Sequence, residues 1–108
     1  MADNTDVIQG TLDMLILKSL SLQPMHGFGV TQRIEQISQG VFKVNPGSLM
    51  LAFQRMERDG FIDAEWRTSE NSRRAKYYSL TSKGRKRLRL ETDDWQRRVA
   101  AIARLLEA

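Results

Sequence analysis

Arg73, Arg74 and Lys76 follow a polar, turn-rich stretch, Ser69-Glu70-Asn71-Ser72. Cations gathered at such a place have one chemistry open to them, the binding of phosphate, whereas a tip that only faces water needs no cluster of a single sign. A second group lies upstream at helical spacing: Gly47, Leu51, Gln54 and Arg58 share a face, Met50 and Arg55 flank it, and Ser48 stands near its start. Arg and Gln can pair with base edges or phosphates, although a polar outer face is also what any surface helix carries. Ser48 has two readings of equal standing, phosphate binding at a helix start and a local cap. Met50 and Leu51 are apolar where contact chemistry is otherwise polar. They read as partners for thymine methyl groups, as a protein-binding or repacked surface, or as a weakening of nucleic-acid contact.

Other chemistries are excluded or poorly served. The chain has no cysteine, so disulfides, thiolate metal sites and thiol nucleophiles are ruled out. His26 is the single histidine and lacks companion ligands, so a turn or capping role fits it better than a metal. With no nucleophile beside a base, no Gly-rich phosphate loop and no paired carboxylates on an apolar element, neither catalysis nor a cofactor is expected. At 108 residues, 41% hydrophobic and 28% charged, the chain suits one folded domain. The first residues lack the basic start of a secretory signal and Lys18 interrupts the apolar run from Met14 to Leu17, so a cytoplasmic protein without a membrane span is expected. The net charge of +4 is unevenly placed: residues 1–60 are nearly neutral, while Arg73, Arg74, Lys76, Lys83, Arg85, Lys86, Arg87 and Arg89 fall between Asn71 and Leu90 with no acid among them.

The elements that must position these groups can be read in order. Thr11 to Leu20 is apolar almost throughout, as in a helix covered on two faces by its own core and by another element or chain, and Gln23-Pro24 ends it. Val30, Ile34 and Ile37 predict a second helix, stopped by Ser38-Gln39-Gly40, and Val41 to Val44 a stub of strand. Asn45-Pro46 starts a third helix, with Leu49, Ala52, Phe53 and Met56 as its buried stripe and Asp59-Gly60 as its end. Phe61 to Thr68 and Lys76 to Leu80 alternate and predict a β-hairpin with a basic tip, in which Trp66 packs in the core or on the strand face. Thr81 is placed to cap a last helix reaching about Leu106, where Leu88, Thr92, Trp95, Val99, Ile102 and Leu106 form a narrow seam. The fold class is therefore mainly α with a small β-hairpin, a winged helix-turn-helix followed by a C-terminal helix. Such a unit puts one helix in the major groove and a basic hairpin beside it.

Five segments together resemble the PadR family of transcriptional regulators: Gln9-Gly10-Thr11-Leu12-Asp13, Pro24-Met25-His26-Gly27-Phe28-Gly29, Gly47-Ser48-Leu49, Ser69 to Tyr78, and Leu80-Thr81-Ser82-Lys83-Gly84. The resemblance runs from residue 8 to about 106 and fits the branch of the family with a short C-terminal part. It implies a winged domain, a dimerisation helix and repression of a nearby gene. The family usually carries Tyr where this chain has Phe28, and Tyr-Pro where it has Met50-Leu51.

The expectation that follows is a bacterial homodimeric repressor that binds a pseudo-palindromic operator in double-stranded DNA. Residues 1–81 would form the DNA-binding domain and 82–108 the dimerisation helix. DNA contact is expected from Ser48, Met50, Leu51, Gln54, Arg55, Arg58, Arg73, Arg74 and Lys76, and dimer contact from Leu12, Leu15, Leu88, Trp95, Val99, Ile102 and Leu106. Trp95 would pack on the partner, and in a sharper reading the paired rings hold a small, flat apolar effector. The competing reading is a protein-interaction module that uses Met50 and Leu51 without sequence-specific DNA binding.

Overall fold

The computed structural model describes residues 5–6, 10–68 and 71–108. Gln9, Ser69 and Glu70, which belong to the motifs above, lie outside the described residues, as do residues 1–4 and 7–8. The elements run β1 (Thr5–Asp6), α1 (Leu12–Leu22), β2 (Met25–His26), α2 (Gly27–Ile37), β3 (Phe42–Lys43), α3 (Pro46–Arg58), β4 (Ile62–Thr68), β5 (Arg74–Leu80) and α4 (Ser82–Glu107). Strand β5 lies between β4 and β2 in an antiparallel sheet, and β1 pairs with β3 in parallel. This is the four-helix, small-sheet architecture of a winged helix-turn-helix.

The apolar run of α1 has the cover it needs within one chain. Ile16, Leu17 and Leu20 are buried, and the helix packs against α2, α3, α4 and β5. Leu12, Leu15 and Leu88 are partly buried against that same core. Pro24 follows the extended cap residue Gln23 and prevents continuation of the helix. Val30 and Ile34 of α2 are buried, but Ile37 is 64% exposed, because the helix ends at that residue and the chain turns away through Gln39 and Gly40. Both of these have positive φ, 54° and 78°.

Helix α3 begins and ends as its sequence dictates. Asn45 Oδ1 accepts the Ser48 N–H at 3.1 Å, Pro46 occupies the first turn, and Gly60 leaves the helix at φ 81°. Leu49, Ala52, Phe53 and Met56 are all buried, and the Phe53 ring lies parallel to Tyr78 of β5 with centroids 4.1 Å apart. Removing that ring would cost about 3–5 kcal/mol. This stack fixes the rotation of α3, and thereby the face it turns outward.

The start of α4 is clamped to the end of α3. Thr81 Oγ1 accepts the Gly84 N–H at 2.9 Å and lies within donating distance of the Gly60 and Phe61 carbonyls at 2.7 and 3.0 Å. Gly84 is required there, since a Cβ would stand 2.1 Å from the Phe61 carbonyl oxygen. Lys83 adds a hydrogen bond to the Asp59 carbonyl at 2.7 Å. From this anchor α4 runs 26 residues, about 39 Å at 1.5 Å per residue. Val99, Ile102, Leu105 and Leu106 on its distal half are exposed, Leu106 to 81%.

Candidate nucleic-acid interface

With the stripe of Leu49, Ala52, Phe53 and Met56 inward, helical geometry places Gly47, Leu51, Gln54 and Arg58 outward. Gln54 and Arg58 are exposed, Leu51 is 64% and Met50 52% exposed, and Arg58 Nε sits 3.3 Å from Asp59. The flanks of α3 are tied down. On one side Arg55 pairs with Asp13 of α1, and on the other Glu57 pairs with Lys76 of β5 at 3.1 Å. The four side chains of these pairs are all partly exposed, so each pair contributes at most about 1 kcal/mol, and its effect is chiefly to hold the helix in orientation.

The titration shifts agree with these contacts. The hydrogen bond to Asp13 raises the Arg55 guanidinium above its ordinary value, and the bond to Glu57 does the same for the Lys76 ammonium. Burial holds the Tyr78 hydroxyl above its usual value, against the opposing charge of Lys76.

One expectation is corrected by the geometry and two are narrowed. Lys76 is not at the hairpin tip: β5 begins two residues earlier, at Arg74, and Lys76 lies on the face that packs toward α3, held by Glu57. The cap of α3 belongs to Asn45 and not to Ser48, whose N–H is the group being capped and whose side chain is exposed. Trp66 is not in the core, being 59% exposed, because the hairpin extends past the last buried residues and its inward face there has nothing to pack on. Arg74 instead lies over the indole at 5.6 Å, while Arg73 is exposed beside Ser72, a turn residue with φ 60°.

Asp13 and Glu57 hold this surface and were given no site role by their local sequence, and Trp66 was read only as packing. The signal available for Trp66 was its place on one strand face with the cations of the facing strand. His26 does what its isolation suggested, since Nδ1 accepts the Gly29 N–H at 3.0 Å and caps α2. Phe28, beside it in the first turn of α2, is exposed.

Of the cations that open α4, Lys83 is engaged with the Asp59 carbonyl and Arg87 with Glu91 at 3.2 Å, while Arg85, Lys86 and Arg89 are exposed. An open cleft of about 320 Å³ lies between the start of α1 and the middle of α4. Met14, Leu90 and the half-buried Trp95 share its lining with Arg87, Glu91 and Asp94, so its walls are mixed rather than apolar. Among the described residues no group of His, Asp and Glu is arranged to hold a metal ion, and no helix is long and apolar enough to cross a membrane.

Comparison with known proteins places this geometry among its relatives. The profile described as "Transcriptional regulator PadR-like family" matches residues 16–90. A solved transcriptional regulator from Clostridium thermocellum is similar at TM-score 0.82 and 26% identity, with 93% of this chain and 97% of that chain covered. A PadR family transcription regulator from Clostridium difficile gives TM-score 0.77 and 25% identity over 90% and 99% of the two chains. A relative in Lysinibacillus sphaericus is 29% identical over 91 residues, 84% of either chain.

Proposed function

Because the chain belongs to the PadR-like family of transcriptional regulators, we propose that it is a homodimeric repressor that grips a pseudo-palindromic operator through α3 and the β4–β5 wing. The observation that carries this reading is the state of the two surfaces: α3 is fixed in rotation by Phe53 and by a tie on each flank, and beside it stands a wing whose Arg73 and Arg74 have no carboxylate partner among the described residues. A major groove admits one helix, and adjacent cations can then bind phosphates on the groove edge. Gln54 and Arg58 are the base-reading candidates on the outward face, with Met50 and Leu51 presenting apolar atoms to thymine methyls. Ser48 and Arg55 would meet the backbone, Arg55 by exchanging Asp13 for a phosphate, and Lys76 supports the wing.

Residues 1–81 form the DNA-binding unit in this reading and 82–108 the dimerisation helix. Trp95, Val99, Ile102 and Leu106, together with the fringe residues Leu12, Leu15 and Leu88, supply the seam. The exposed apolar atoms on distal α4 favour this, since a helix that carries them beyond the core gains by pairing with a copy of itself. Two copies would address successive major grooves about 34–36 Å apart. A small, flat apolar effector between paired Trp95 rings would alter that spacing and release the DNA.

The exposure of Met50 and Leu51 also favours a second reading, a protein-binding face on α3. Fluorescence anisotropy with a labelled mixed-sequence duplex separates the two. Repressor function predicts binding at 50 mM salt that weakens about a thousandfold by 200 mM, as release of counterions from about six phosphates, three for each protomer, requires. Indifference to the duplex at either salt would refute it and leave the protein-binding face.

A further inference from the structure

Strand pairing sets Trp66 opposite Lys76 and Thr68 opposite Arg74, so these four share the face that carries Ala64 and Tyr78. Followed outward from the core, that face presents buried Tyr78, then Lys76 bound to Glu57 of α3, then Arg74 on its diagonal neighbour Trp66. The pair therefore lies one step beyond the bridge that joins wing to α3, on the same side of the wing. A guanidinium held at cation–π distance from a ring, with no carboxylate on it, keeps N–H donors free for a phosphate. The wing has a second Arg–aromatic contact, Arg67 over Tyr77 at 5.1 Å, but it is on the opposite face and Glu65 neutralises the guanidinium. Arg74 has no such carboxylate among the described residues. A large indole left exposed at 59% on a wing of this charge has no role in the core to explain it.

We propose that Trp66 is a positioning residue for DNA binding: it holds the Arg74 guanidinium against its ring, on the wing face that adjoins α3, ready to take a backbone phosphate beside the groove that α3 enters. The occupant of this surface is duplex DNA. The inference rests on the repressor reading and adds to it a residue that acts through another.

The test is a double-mutant cycle on full-length protein, with anisotropy measured across a salt series on a labelled duplex. Trp66→Ala lowers affinity about two- to fivefold per protomer and Arg74→Ala lowers it further, with a salt slope smaller by about 0.9 per protomer, about 1.8 for the bound dimer. The double variant binds no more weakly than Arg74→Ala alone, because the indole has no effect without its cation. Trp66→Phe, which keeps a ring, recovers most of the loss, and Trp66→Ala leaves the thermal midpoint unchanged because the side chain is exposed. Additive losses in the cycle, or wild-type affinity in Trp66→Ala, would overturn the proposal while leaving DNA binding intact. Failure of the wild-type protein to bind would instead remove the reading on which it rests.

Discussion

Gly84→Ala tests the joint on which the relation of α3 to α4 depends. The added Cβ would stand 2.1 Å from the Phe61 carbonyl oxygen, 2.7 Å from Leu80 Cδ1 and 3.1 Å from the Phe61 carbonyl carbon. Ordinary contact needs more than 1 Å of additional separation at the oxygen, and the obstacle is backbone that cannot rotate aside. Moving Phe61 away from α4 strains the Thr81 N–H bond to that carbonyl, at 3.2 Å, and the Thr81 cap on Gly84. Two weakened bonds at about 1 kcal/mol each and about 1–3 kcal/mol of overpacking oppose a gain of about 1 kcal/mol from replacing Gly in a helix. The net loss is about 2–4 kcal/mol, or about 10–25 °C in thermal midpoint for a chain of this size. Circular dichroism melts at one fixed protein concentration measure it, the concentration being held because any self-association would make the midpoint depend on it. A drop smaller than about 4 °C would refute the claim that this close approach holds α4 to the end of α3.

Three further outcomes follow from the same geometry. Joint replacement of Arg73 and Arg74 by Ala reduces the slope of log affinity against log salt by about 1.8 per protomer, about 3.6 for the bound dimer, in anisotropy titrations, and an unchanged slope would remove the wing from the interface. Trp95→Asp converts the dimer to monomer in sedimentation equilibrium, since it places a charge on the seam; a persisting dimer would put the contact elsewhere. On a duplex selected for tight binding, replacing the contacted thymine by deoxyuridine weakens wild-type binding about fourfold, the value of one buried methyl, and leaves Leu51→Ala unaffected. Equal sensitivity in both proteins would exclude Leu51 from thymine recognition.

How much of this was legible in the sequence depended on the range of the interaction responsible. The caps and the stripe of α3 were readable because each signal is local to that helix: Asn45 caps a group three residues on, Phe53 repeats at helical spacing with Leu49 and Met56, and Gly60 follows the last turn. The Thr81 cap was readable for the same reason. Strand β2 was not, because two residues carry no period, and Met25 and His26 are made a strand by pairing with Tyr78 and Tyr77, more than fifty residues onward. Ion pairs across 42 and 19 residues claim Arg55 and Lys76, which local spacing alone marked as contact residues. Alternation placed Trp66 on the inward face correctly, but it could not reveal that the core ends before the hairpin does. The charge asymmetry was visible at once, while its division into engaged cations such as Lys83 and exposed ones such as Arg73 needed the fold.

The central claim is that two copies of one winged unit bind duplex DNA together. Hydroxyl-radical footprinting on a selected operator tests it most directly, because it reports both the contact and its repeat. The account predicts two protected blocks centred about 10 base pairs apart and related by a two-fold axis. One isolated block, or strands cleaved evenly along their whole length at saturating protein, would contradict it.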